Sequence, residues 1–311
     1  MGKILAICIS EKKGTRNKPI ESARLVEEWG IEGDAHVGKW HRQVSMLSFE
    51  KIEAFREKGA DVDFGAFGEN LVVEGFDLSK VPVGTKFQIG EAILELTQIG
   101  KECHSHCAIY KVMGDCIMPR EGVFTRVLKG GEIKAGDEIT MLPLEKDRPF
   151  TAAVITLSDK GAAGEREDKS GPLIQEMLMK EGYDVIETLL LPDGEQPLKH
   201  QLMRLADQRQ VNVIFTTGGT GFAERDVTPE ATQAVCDRMA MGIADAIRQY
   251  SLSITGRAML SRAVSGIRKK TLIVNLPGSP KAVKESLEYV LPHLGHGLGI
   301  LRGTDGECGN S

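Results

Sequence analysis

The chain has 311 residues, of which 41% are hydrophobic and 27% charged, and its formal net charge is −5. That length allows two ordinary cores, and because neither half is basic an extended nucleic-acid footprint is excluded. No stretch approaches the ~18 consecutive apolar residues of a membrane span. The run Ile4–Ile9 gives way to Glu11, Lys12 and Lys13 without a cleavage pattern, so a cytoplasmic protein is expected. In that reducing setting its six cysteines are expected as thiols.

In chain order, the first half reads as mainly β with a helix or two, a closed or half-closed barrel. Ser48–Lys58 has helical character. Phe87–Ile89, Gly90-Glu91 and Ala92–Ile99 read as a hairpin, with Gly90 free to take the positive φ of a II′ turn. Glu138–Leu142 is a further strand after Gly136-Asp137. Residues 1–143 form this first domain. A charged, proline-bearing linker follows at 144–150.

From residue 151 strands and helices alternate. Strands are predicted at Ala152–Leu157, Val185–Leu191, Val211–Thr217 and Thr271–Leu276. Helices are predicted at Gly171–Glu181 capped by Ser170, near Leu198–Arg209, at Pro229–Arg248 capped by Thr228, and from Pro280 capped by Ser279. This rhythm argues an α/β domain over 151–302 with a mostly parallel sheet in three layers. The polar tail 303–311 is expected to be disordered.

Ligands of open parallel sheets bind beyond the carboxyl ends of the strands. Four loops fall there: Ser158-Asp159, Pro192-Asp193-Gly194, Thr216-Thr-Gly-Gly-Thr-Gly221 and Asn275-Leu-Pro-Gly-Ser-Pro280. The third interleaves glycine with threonine, which lets backbone N–H groups face one concavity, as a phosphate requires. It lacks the Gly-Lys-Ser/Thr of a Walker loop. Asp193 reads equally as a turn former, and Asp226 as a helix-dipole partner. Carboxylates beside an anion cradle repel the anion unless a cation intervenes, and Mg²⁺ on one or two carboxylates plus phosphate oxygens is the usual arrangement.

These loops, with Glu167-Asp-Lys-Ser-Gly-Pro172, Arg225-Asp-Val-Thr-Pro-Glu-Ala-Thr232 and Ala258-Met-Leu-Ser-Arg262, resemble the MogA/MoaB family of molybdopterin-binding proteins over about 151–302. The resemblance implies a three-layer α/β domain, usually a homotrimer. It also implies transfer of AMP from Mg-ATP to molybdopterin, with pterin and nucleotide as small-molecule partners. Carried over by position, Asp193 holds Mg²⁺ and serves adenylyl transfer, and Asp226 contacts the pterin. Ser158, Asp159, Thr217, Gly218, Gly219, Thr220, Gly221, Asn275, Pro277, Gly278, Ser279 and Lys281 line the cofactor site.

In the first half, Gly33-Asp-Ala-His36, Phe67-Gly-Glu-Asn-Leu71, Gly100-Lys-Glu-Cys-His-Ser-His-Cys107 and Gly114-Asp-Cys-Ile-Met-Pro-Arg-Glu-Gly-Val-Phe124 resemble the MOSC domain. That resemblance implies a barrel-like fold tied to the molybdenum cofactor, or to sulfur carried on a cysteine, and contact with other proteins of the cofactor pathway. Cys116, in a turn expected to be exposed, is the first candidate for molybdenum ligation or sulfur carriage, and Cys103 the second. Cys103, His104, His106, Cys107 and Cys116 also allow a zinc or iron–sulfur site, although their spacing matches no standard pattern. Arg120 and Arg126 read as phosphate ligands or solvent-facing charges, and Glu69 and Asn70 as loop pins or site residues. A carrier that binds cofactor without chemistry is the rival to the adenylyltransferase reading.

Overall fold

The computed structural model describes residues 1–103 and 108–305, so His104, His106 and Cys107 lie outside the described residues. The chain divides into two compact units, Met1–Glu145 and Lys146–Ser311.

The first unit contains strands β1 (Gly2–Ile9), β2 (Lys18–Ile20), β3 (Ser22–Val26), β4 (Gly30–Ile31), β5 (Val44–Ser48), β6 (Leu71–Glu74), β7 (Lys86–Ile89), β8 (Ala92–Ile99), β9 (Val123–Lys129), β10 (Gly131–Lys134) and β11 (Glu138–Met141). Helices α1 (Phe49–Arg56), α2 (Ala108–Met113) and α3 (Met118–Glu121) interrupt them. Seven strands close a barrel in the order β11-β7-β8-β9-β5-β6-β1, with β1 returning to pair with β11. Closure leaves no edge within the ring for another chain to extend. Alternate residues of each strand, such as Val44 and Met46, Phe87 and Ile89, and Leu94 and Leu96, gather in one buried cluster. The other wall residues, Ala6, Cys8, Leu47 and Val72, pack with Ile52 and Phe55 of α1. The β7–β8 hairpin turns at Gly90, whose φ is +55°.

The second unit carries β12 (Thr151–Leu157), β13 (Asp184–Leu191), β14 (Val213–Thr217), β15 (Arg238–Met239), β16 (Ser265–Arg268) and β17 (Thr271–Leu276). Its helices are α4 (Asp159–Ala162), α5 (Ser170–Lys180), α6 (Glu195–Asp207), α7 (Thr228–Val235), α8 (Met241–Leu252) and α9 (Pro280–Arg302). The sheet order is β13-β12-β14-β17-β16-β15; the first four strands run parallel, and β16 and β15 are antiparallel additions. Ala152, Val154, Val213, Phe215, Leu272 and Val274 share one cluster with side chains of α5, α8 and α9. Ala153, Ile155, Ile214 and Ile273 share another with α6 and α7. Both faces of the central strands are therefore buried, which explains why these strands read as continuous apolar runs.

Three local expectations are corrected. The stretch 229–248 is not one helix: α7 stops at Val235, and the short β15 precedes α8. Ser170 does not cap α5; Asp168 Oδ1 accepts the N–H groups of Ser170 and Gly171, and the Ser170 hydroxyl donates to the Gly278 carbonyl. Thr228 is the first residue of α7 rather than its cap, and its hydroxyl donates to the Gly218 carbonyl. Ser279 does cap α9, accepting from the Ala282 N–H. The first residues of the tail are ordered by backbone bonds from Gly303, Thr304 and Asp305 to Gly299, with Gly303 at φ +86°; residues 306–311 lie outside the described residues.

Candidate active site at the sheet edge

The parallel registers bring the loops to one level. Leu157 pairs with Leu191, Thr156 with Thr217, and Thr217 with Leu276, so the four strands end side by side. The chain runs from β12 to β13 on one side and then crosses to β14 on the other, which places the crevice of an open sheet between β12 and β14.

Hydrogen bonds tie the loops together. The Thr217 hydroxyl donates to the Pro277 carbonyl at 2.6 Å. Asp193 N–H donates to Asp159 Oδ1 at 3.0 Å, and Asp159 N–H donates to Asp193 Oδ2 at 3.2 Å. Arg262 binds the third loop through the Gly221 carbonyl at 2.7 Å, the Asp226 carbonyl and Glu230. The sequence offered Arg262 only as part of a motif; its role comes from the return of the chain alongside Thr220, whose carbonyl accepts the Arg262 N–H.

Gly218 and Gly219 turn the third loop with φ of +96° and +64°, the left-handed region that side chains disfavour. A Cβ on Gly218 would stand 2.3 Å from the Leu157 carbonyl oxygen, and one on Gly219 would stand 2.4 Å from the Thr228 hydroxyl. The Gly219 Cβ position is also 3.8 Å from Asp193 Oδ1, so the carboxylate oxygen that the Asp159 N–H does not use lies beside the glycine turn. Asp226 accepts the Ala223 N–H at 2.9 Å. Burial pushes the Asp193 carboxyl up from its ordinary range, and the charges of Asp159 and Asp226 push the same way. The Asp159 N–H bond and Arg225 pull against them.

Gly218 also borders a cavity of about 610 Å³. It is lined by Thr156, Ser158, Arg166, Lys169, Ser170 and Ser279, among others. Ser158 accepts the Gly161 N–H and, at 3.0 Å, a guanidinium N–H of Arg166. Arg166, Asp168 and Ser170 were not picked as site residues from sequence. The fold brings them in because α4 and the following turn carry the chain back over the end of β12.

Asn275 is corrected as a ligand contact. It is fully buried, its amide donates to the Thr216 and Thr232 hydroxyls, and its carbonyl accepts the Val264 N–H. It braces β17 from within. Lys281 is exposed, and its ammonium lies 4.0 Å from Glu285. Thr220 is buried.

In the first unit Cys116 is also corrected: it is 6% exposed, packed with Ile117, Met118 and Phe55 rather than presented in an open turn. Cys103 is exposed. Arg120 pairs with Asp115, and Arg126 with Glu95. Glu69 accepts the N–H groups of Gly65 and Phe67; Asn70 accepts from Ser45 and donates to the Cys8 carbonyl, so both pin the loop before β6. Among the described residues no three His, Cys, Asp or Glu side chains converge as a metal cage.

The two units match two different families. The family described as "Probable molybdopterin binding domain" matches residues 153–296, and the MOSC domain matches residues 33–140. A protein of Helicobacter pylori named molybdopterin adenylyltransferase is 40% identical over 153 residues, covering 49% of this chain and 87% of its own. One of the same name from Haemophilus influenzae is 45% identical over 139 residues, 44% of this chain and 71% of its own. The Escherichia coli K12 protein of that name is 43% identical over 140 residues, again 44% and 71%. The chain thus belongs, through its second unit, to the MogA/MoaB family of molybdopterin-binding proteins and carries a MOSC domain ahead of it.

Proposed function

We propose that the second unit transfers AMP from ATP to molybdopterin. The observation that carries this reading is the placement of Asp193 beside Gly219 and Asp226 beside Gly221, where burial, and then the charges of Asp159 and Asp226, push the Asp193 carboxyl up. Such a cluster beside an anion cradle suits a divalent cation shared with phosphate. Mg²⁺ keeps much of its shell for water and phosphate, so it needs one or two protein carboxylates rather than a full cage. Asp193 Oδ1 is the first of these, with Asp159 beside it. When bound, Mg²⁺ neutralises phosphate charge.

The chain's own groups hold and orient the reactants. Asp226 accepts the paired N–H groups at the edge of the pterin, and the backbone of Gly218 to Gly221 faces phosphate oxygen. A phosphate oxygen of molybdopterin attacks the α-phosphorus of ATP. The new O–P bond forms as the bond to the β-phosphate oxygen breaks, and that electron pair leaves with pyrophosphate. The step calls for positioning and charge neutralisation, and no protein nucleophile is needed.

The MOSC unit acts on the same cofactor in this reading, with exposed Cys103 rather than buried Cys116 as its sulfur-reactive thiol. A homotrimer formed through the second unit is part of the proposal, as are contacts with other cofactor-pathway proteins. The test is to mix the full chain with molybdopterin and Mg-ATP and measure pyrophosphate. Release at the rate of AMP transfer is expected. Tight pterin binding without release would leave the carrier reading in its place.

A further inference from the structure

The sheets of the two units end differently. The barrel closes on itself, and one margin of the second unit's sheet is the short β15, only Arg238–Met239. The opposite margin is β13, eight residues long, which among the described residues pairs with β12 alone. β12 is buried from Ala152 to Leu157, whereas no residue of β13 is fully buried, although it ends in three leucines. Leu190 is 39% exposed. An open strand of this kind is a template for another strand, and proteins ordinarily guard it with lysine or proline. β13 carries neither.

The hydrogen bonds to β12 fix which groups of β13 face outward. The Leu191 carbonyl accepts the Ser158 N–H. Peptide groups alternate sides along a strand, so those of Leu189 and Glu187 also face β12, while those of Leu190 and Thr188 face the open side. The register with β12 slips between Val185 and Glu187, which leaves Glu187–Leu191 as the regular part of the margin. The one charge in that stretch is already engaged, because Arg204 Nη1 donates to Glu187 Oε2 at 3.3 Å.

Antiparallel pairing requires outward groups to meet outward groups. A twofold axis at Leu189 satisfies this for two copies of the strand. Thr188 of each copy then faces Leu190 of the other, the two Leu189 side chains meet at the axis, and Glu187 lies opposite Leu191. An axis at Glu187 would set two carboxylates against each other, and one at Thr188 would draw in the irregular Ile186. The margin is thus its own complement, with no like charges opposed. We propose that β13 pairs antiparallel with β13 of a second copy of this chain, joining two sheets into one. The contact is independent of the adenylyl-transfer reading. Being twofold, it gives an even number of chains whether or not a threefold contact is also present.

The test is analytical sedimentation of the full chain, with Leu190→Lys and Thr188→Pro beside the wild type. The lysine puts a charge into the contact. The proline removes one outward N–H and leaves the bonds to β12 in place. Circular dichroism melting checks the fold of each variant. The wild-type particle is expected to hold an even number of chains, and each folded variant to have half its mass. Hydrogen exchange at the Thr188 and Leu190 amides should be about a hundredfold slower in the wild type than in Leu190→Lys. An odd number of chains in the wild type, or an unchanged mass in the folded variants, would overturn the pairing; a trimer would do so while keeping the threefold contact. Should neither variant fold, the wild type decides: slow exchange at both amides in an even-numbered particle supports the pairing, and fast exchange overturns it.

Discussion

Asp193 combines burial with two like-charged neighbours, and both make its ionised form costly. The folded chain then holds a proton on Asp193 more tightly than the unfolded chain does. Stability from this group is fully present below the ordinary aspartate range and is lost as pH rises through the raised value. Asp193→Asn should accordingly raise the melting temperature at neutral pH while abolishing pyrophosphate release and sparing pterin binding. A lower melting temperature would show that Asp193 braces the loop. Cysteine chemistry separates in the same way. Burial pushes the Cys8 thiol up to about 12 and the Cys236 thiol to about 11. Mass spectrometry after brief iodoacetamide treatment should find Cys103 labelled well before Cys8, Cys116 and Cys236; labelling of Cys116 first would show an opening of its cluster.

The glycine turn sets the shape of the site at the scale of elements. Gly218→Ala combines a left-handed φ with a Cβ 2.3 Å from a carbonyl oxygen. It should destabilise the second unit by about 2 kcal/mol or more and weaken pterin binding at least tenfold. Gly242→Ala, in the first turn of α8 with open space around it, should be neutral or stabilising by up to ~1 kcal/mol, as read from urea unfolding. Much of this edge could be read from the sequence, because strand-ending loops and glycine spacing are local signals. The hairpin at Gly90 and the Ser279 cap were legible for that reason. What escaped depends on distant partners. Asp168 takes the cap expected of Ser170, Arg262 grips a loop about forty residues earlier, and Asn275 turns inward because Thr216 and Thr232 lie beneath it. Cys116 looked exposed in its Gly-Asp-Cys turn, and only the folded barrel wall shows the apolar surface that covers it.

Across the whole molecule, each unit has its own core. Asn70→Ala strips the buried Ser45 N–H and Cys8 carbonyl of partners and should cost the barrel about 3 kcal/mol in urea unfolding. Pyrophosphate release by the full chain is expected to stay within twofold below the barrel's new midpoint; a parallel loss would show the two chemistries to be coupled. The latches at the sheet edge carry a kinetic consequence. Ser170 to Gly278, Thr217 to Pro277 and the Asp159–Asp193 exchange fasten the loops to one another through the protein's own groups. A pterin arriving there meets a preorganised receptor and has little loop entropy to remove. Stopped-flow association should follow a single exponential whose rate climbs linearly with pterin concentration, and a plateau would reveal a slow rearrangement before capture.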